Sequence, residues 1–312
     1  MRRRVTITLT ALTTLALACA KTEKPADTIK AATPAAPTKM SETGGMKTPE
    51  SVRYDADLDV FFVANINGNP SQHDNNGFIA VVRADSTSVV KMLVEGGKNG
   101  VTLDAPKGMA VVGDTLWVAD IDAVRGFNKR TGAPVASIAL TKENATFLND
   151  VAVGPDGALY ITDTGIVFDD TGAMSHPGVD RLFRIGPHHD VAAVMSGDAL
   201  AHPNGITWDA ANNRWILGPF GGPDVQTLTE GDKAPSKLVA GPGQYDGVEV
   251  LRDGRILVTS WADSAVHVIQ NGAMTTLVAN VGAPADIGVD TKRNVLAVPR
   301  FNDNKVEYYK LP

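Results

Sequence analysis

"PNGITWDAANNRWILG" (203–218) reads as one unit of secondary structure. Pro203-Asn204-Gly205 is turn-prone, because Asn and Gly tolerate left-handed backbone angles. Ile206 and Trp208 then alternate with polar neighbours, a polar turn follows, and Trp215-Ile216-Leu217 makes a second apolar run. Alone, this is a β-hairpin with a turn at its entry. What decides the fold is its recurrence. The same turn, strand, polar turn and strand stand in "PESVRYDADLDVFFVAN" (49–65), "PKGMAVVGDTLWVAD" (106–120), "LNDVAVGPDGALYITD" (148–163), "YDGVEVLRDGRILVTS" (245–260) and "PADIGVDTKRNVLAVP" (284–299).

Further short strands follow most hairpins. Third-strand candidates are "FIAVVRA", "VRGFNK", "RLFRIG", "AVHVIQ" and "KVEYYKL"; fourth-strand candidates are "VVKMLVE", "PVASIAL", "VAAVMS", "SKLVAG" and "TTLVAN". Six units of four antiparallel strands, spaced by roughly 40 to 57 residues, have the size of propeller blades. The expectation is an all-β chain with a six-bladed β-propeller over residues 47–312. A β-sandwich would also have many short strands, but not six copies of one signature. The longer intervals carry inserts, "INGNPSQHDNNG" (66–77) and "TGIVFDDTGAMSHPG" (164–178), which are expected to shape a pocket.

The ends of the chain have another character. Arg2 to Arg4 precede an apolar run, Val5 to Ala18, too short to span a bilayer as a mature helix. Residues 1–18 are therefore expected to be a signal peptide. "ALAC" (16–19) resembles a lipoprotein box with Cys19 as the lipidated residue, and "ACA" (18–20) would also suit an ordinary signal peptidase. Cys19 is the one cysteine, so an exported domain has no disulfide. Residues 19–46 are rich in Ala, Pro, Thr and Lys and read as a disordered linker. The expected location is the surface of a bacterial membrane, with soluble periplasmic or secreted protein as the alternative. Net charge is −6 and no basic stripe is visible, which argues against nucleic acid as a partner. The expected form is a monomer that acts on a small molecule and touches the membrane only through Cys19.

In a propeller the first strand of each blade lines the central channel, so residues just before those strands are expected to converge at the channel mouth. That column reads Glu50, Lys107, Asn149, Asn204, Asp246 and Ala285. Four of these are oxygen donors, and Glu50 is a poor turn former. Oxygen ligands without His or Cys suit a hard cation, above all Ca²⁺, with Mg²⁺, Mn²⁺ or Zn²⁺ as alternatives. Gly205 is expected to let the backbone turn tightly beneath Asn204. Lys107 would repel a cation unless it turns aside, pairs with Asp150 or Asp286, or binds an anionic substrate group. His202, just before Pro203, is a candidate for contact with substrate as a proton shuttle. His73 and His176 lie in the inserts, and His188-His189 form a solvated pair.

These motifs resemble the SMP-30/gluconolactonase/LRE-like family. Glu50, Asn149 in "LNDVAVGPDG", Asn204 in "PNGITWD" and Asp246 in "YDGVEV" match its metal-binding positions in order. The family usually has Glu-Gly-Pro at the first ligand, where this chain has Glu50-Ser51-Val52. The resemblance implies one divalent cation at the channel mouth, bound by these four residues, and hydrolysis of a lactone or related ester. Asp246 is then the general base and Glu50 chiefly a ligand. Blade two also looks like an NHL repeat, a signature used largely for binding. The competing expectation is a surface-tethered binding propeller with a structural cation. No Gly-x-Ser-x-Gly elbow occurs, which argues against serine nucleophile chemistry.

Overall fold

The structure, a computed structural model, describes residues 36–312. Expectations for the signal segment and Cys19 fall outside the described residues. Six four-stranded antiparallel sheets are arranged as blades. Blade one is Pro49–Asp55, Val60–Asn65, Phe78–Arg83 and Val89–Glu95 from the inside outward. Blades two and five follow the same order from Pro106–Val112 and from Tyr245–Val250. Blade three begins at Leu148–Val153, and its insert adds a small hairpin, Val167–Phe168 with Met174–Ser175. No α-helix occurs among the described residues; three single turns of 3-10 helix mark loop corners.

Strand alternation explains how the blades stack. Phe61 and Phe62 are adjacent, so their side chains leave opposite faces of the sheet. Phe62 packs with Leu116 and Phe127 of blade two, whereas Phe61 packs with Tyr308 of blade six. Each fully buried ring contributes roughly 2–3 kcal/mol of hydrophobic stabilisation. One blade therefore needs two apolar faces, and the near-continuous run Val60 to Ala64 supplies them.

Two strands differ from expectation. Blade four's third strand is Asp224–Leu228, which lacks a clear alternating pattern. More consequentially, the expected linker ends early. Thr38–Thr43 is a β-strand and forms the outer strand of blade six, paired antiparallel to Lys305–Lys310. The last blade thus joins this early strand to three strands from residues 288–310, which closes the ring. The innermost ring closes as well: Val52 N donates to Asp286 O at 3.1 Å and Asp286 N to Glu50 O at 2.9 Å.

Charge fixes the outer closure. Glu307 is buried; its Oε1 accepts Lys39 Nζ at 2.8 Å and is ion-paired with Lys305 Nζ at 3.0 Å and Arg300 Nη1 at 3.1 Å. Tyr309 Oη donates to Glu307 Oε2 at 2.6 Å. Burial alone would raise the Glu307 pKa, but these partners outweigh it and hold the value down to about 2. Because the folded value lies below the ordinary 4.5, the stabilisation is complete above pH 4.5 and drains as pH falls towards 2. Glu307→Gln keeps the shape and removes the charge. It is expected to cost about 2 kcal/mol at pH 7. Urea unfolding of both proteins at pH 7 and at about pH 3 checks this, because the difference should shrink in acid.

Candidate functional site

The column residues are aimed by a shared backbone irregularity. Pairing between the first two strands slips between Pro49 and Ser51, Pro106 and Met109, Leu148 and Val151, Pro203 and Gly205, and Tyr245 and Val248. Each slip spans a column residue. A β-bulge frees a residue from the ladder and re-aims its side chain. Glu50, Lys107, Asn149, Asn204 and Asp246 consequently line one open pocket of about 620 Å³, open solvent included. Ala285 adds no polar atom to it.

Gly205 has a different role from the one expected. Asn204 and Gly205 lie within the strand Pro203–Asp209, and the left-handed residues are Ala201 (φ 54°) and His202 (φ 58°). A Cβ on Gly205 would stand 2.0 Å from the Asp246 carbonyl oxygen. Glycine is needed there so that blade five's inner strand can approach.

Within the pocket, three oxygens stand out. Glu50 Oε2, Asn149 Oδ1 and Asp246 Oδ1 are buried without a hydrogen-bond partner. Six side-chain atoms among the described residues are in this condition, and a fourth, Asp286 Oδ1, lies one residue from the column at Ala285. Such atoms normally find partners, because an unsatisfied buried polar group is costly. The other atoms of these residues are held. Asn149 Nδ2 donates to Thr164 Oγ1 at 2.9 Å, and that hydroxyl donates to Pro203 O at 2.8 Å. Trp261 Nε1 donates to Asp246 Oδ2 at 3.0 Å.

Electrostatics reinforce the need for a partner. Burial, then Asp246 and Asp286, raise the Glu50 pKa well above the usual range, against the pull of Lys107. Burial, then Asp286, raise that of Asp246, against Trp261 and Asn204. Beneath them, burial pushes Asp150 up to about 7, although Arg53 and the N–H groups of Ile206 and Val151 oppose it. Arg53 meets Glu249 by a short hydrogen bond and lies 3.8 Å from Asp286 Oδ2. The axis thus gathers the carboxyl groups of Glu50, Asp150, Asp246, Glu249 and Asp286 around two cationic side chains, Lys107 and Arg53.

Lys107 pairs with neither Asp150 nor Asp286. Its Nζ donates to Ala105 O at 3.0 Å and sits 4.1 Å above the Phe147 ring. Burial lowers its pKa to about 8, with Glu50, Asp120 and Asp104 acting the other way. His202 does not line the pocket, contrary to the role expected for it. Its Nδ1 lies 3.2 Å from Asp180 Oδ1, and its ring packs against His176. His73 Nδ1 lies 3.0 Å from Asp104 Oδ2.

The rest of the pocket wall escaped the sequence reading. Ile66, Thr164, Phe220, Trp261 and Phe301 line it, and each immediately follows its blade's second strand. They form a second column, visible in hindsight from the hairpin repeat. Phe301 and Trp261 pack with ring centroids 5.2 Å apart, and Trp261 and Phe220 with centroids 5.9 Å apart. The two inserts add Pro70, Ile166, Phe168 and Met174. They are joined to each other: Asn69 Nδ2 donates to Asp169 O at 2.8 Å, and Phe168 N to Ser71 Oγ at 3.0 Å.

Fold and pocket together define a six-bladed propeller with an oxygen-lined axial pocket walled by aromatic groups. The chain belongs to the SMP-30/gluconolactonase/LRE-like family, whose sequence profile matches residues 48–218. No curated protein compared with it matches in sequence. Similar solved structures include a luciferin-regenerating enzyme, with 13% identity, TM-score 0.66, and coverage of 88% of this chain and 94% of that one. Virginiamycin B lyase from Staphylococcus aureus is also similar, with 12% identity, TM-score 0.58, and coverage of 87% and 99% respectively. At these identities the likeness is one of fold.

Thr164 is the residue that orients Asn149. Thr164→Val preserves volume but leaves Asn149 Nδ2 and Pro203 O unpaired. The expected cost is about 2 kcal/mol in urea unfolding, with an unchanged far-ultraviolet spectrum.

Proposed function

We propose that the axial pocket binds one divalent cation, Ca²⁺ in the first place, and hydrolyses a lactone or related ester. The observation that carries this reading is the set of three unpartnered buried oxygens on Glu50, Asn149 and Asp246. Carboxylate and amide oxygens without nitrogen or sulfur suit a hard cation, and Asn204 completes the donor set. The bound ion would supply Lewis acidity, polarising a carbonyl oxygen and acidifying a water.

The chain's own residues would do the rest. Asp246, steadied by Trp261, takes a proton from the attacking water as that water's oxygen bonds to the carbonyl carbon. The ester C–O bond then breaks, and the proton held by Asp246 passes to the departing alkoxide, giving a hydroxy acid from a lactone. Lys107, desolvated against Phe147, keeps donors beyond the one given to Ala105 O and offsets charge around Glu50. The aromatic wall favours a substrate with an apolar body over a polyhydroxylated sugar lactone, because few side-chain partners for hydroxyl groups line it. A signal peptide ending before Cys19 would place this activity outside the cytoplasm, tethered by lipid.

Alkyl- and aryl-substituted lactones and esters, assayed beside a sugar lactone, test the reading. Turnover is expected on the apolar substrates, to vanish with chelator and to return with Ca²⁺. Asp246→Asn should lower kcat by roughly 100-fold or more. Chelator should lower the melting temperature of the wild type, because a ligand that binds only the native state stabilises it. It should lower that of Asp246→Asn much less. A wild type that loses thermal stability with chelator yet hydrolyses none of the panel would favour the binding propeller with a structural cation.

A further inference from the structure

We propose a second metal site, separate from the axial pocket, in which His176, Asp180 and His202 bind a late first-row divalent cation, zinc foremost. One ligand atom from each lies within 4.8 Å of the others. His176 Nε2 is 2.8 Å and His202 Nδ1 3.2 Å from the same oxygen, Asp180 Oδ1. A tetrahedral zinc site, with bonds near 2.0–2.1 Å, separates its ligand atoms by about 3.3 Å. Small side-chain movements therefore convert the hydrogen-bonded trio into a chelate. Two imidazole nitrogens and a carboxylate oxygen also form a donor set that zinc uses, unlike the oxygen-only set on the axis.

The surroundings hold this trio in place. Asp180 is buried, and its other oxygen, Oδ2, accepts the backbone N–H of His202 at 2.7 Å. That bond leaves Oδ1 to the two rings and helps hold His202 in its left-handed conformation. Two glycines make the space. A Cβ on Gly165 (φ 70°) would lie 2.6 Å from His176 Nε2 and 3.2 Å from Asp180 Oδ1. One on Gly221 would lie 2.4 Å from His202 Cδ2. Both histidine side chains retain 31% exposure, so an ion can reach them.

Position gives the site a consequence. His176 follows the insert hairpin that contributes Phe168 and Met174 to the pocket wall, and His202 precedes Asn204 by two residues. A metal shared by these histidines would clamp the hairpin to the edge of blade four.

The test uses chelator-treated protein and Co²⁺ alone, a spectroscopic stand-in for zinc, followed by competition with Zn²⁺. Wild type and Asp246→Asn are both expected to develop the visible absorption of nitrogen-ligated, four-coordinate Co²⁺. His176→Gln and His202→Gln should lose that band, and their Zn²⁺ affinity should fall by roughly 100-fold or more. His176 lies on the accessible side of the trio, so its variant carries the test even if His202→Gln folds poorly. No band in the wild type, or unchanged Zn²⁺ affinity in His176→Gln, would overturn the proposal and leave the trio a hydrogen-bonded clasp. Lactone hydrolysis is not part of the readout, so the result stands independently of the axial site's chemistry.

Discussion

Six inner strands can converge on one axis only where side chains give way to backbone. The seams between neighbouring blades show this constraint. A Cβ on Gly108 would stand 2.5 Å from the Asp150 Cα, and one on Gly247 would stand 2.4 Å from the Ile287 nitrogen. One on Gly288 would meet the Val52 carbonyl oxygen at 2.4 Å, and Gly205 makes the corresponding approach to Asp246. Where glycine is absent, a polar side chain spans the seam: Arg53 Nε donates to Met109 O at 2.7 Å, and Ile206 N to Asp150 Oδ2 at 2.8 Å. Any larger residue at these glycines would push one blade outward and open the ring.

Convergence of this kind has an electrostatic result. Residues that are far apart in sequence become neighbours on the axis, and here they are mostly acids. Burial and Asp246 raise the cost of ionising Glu50, burial raises that of Asp246, and Asp286 adds to both. Lys107 offsets part of this while its ammonium gives one hydrogen bond to Ala105 O and lies over the Phe147 face. The same bulges that concentrate the acids keep particular oxygens free, as the Thr164 bond to Asn149 does for Oδ1. Free oxygens, excess acidity and a pocket beside them are a coherent set of conditions for holding a cation.

Much of this was legible in the sequence, because repetition exposes it. The hairpin recurs six times, and aligning the copies places Glu50, Lys107, Asn149, Asn204 and Asp246 together before any coordinates are seen. The readings that failed had no repeated pattern behind them. "TKMSET" (38–43) lacks alternating apolar residues because its side chains mostly face solvent on an outer edge, so composition made it look like linker. His202 appeared close to the pocket by sequence position, yet Asp180, 22 residues earlier, turns it elsewhere. Trp261 went unnoticed, although the second column it belongs to is as regular as the first.

The central claim is that the buried oxygens on the axis hold one hard cation. Crystals of the protein soaked in Tb³⁺, an oxygen-seeking stand-in for Ca²⁺, can be examined at a wavelength where terbium scatters anomalously. The account predicts a strong anomalous peak on the propeller axis, within bonding distance of Glu50, Asn149, Asn204 and Asp246. Absence of that peak, with terbium bound only at surface carboxylates, would contradict it.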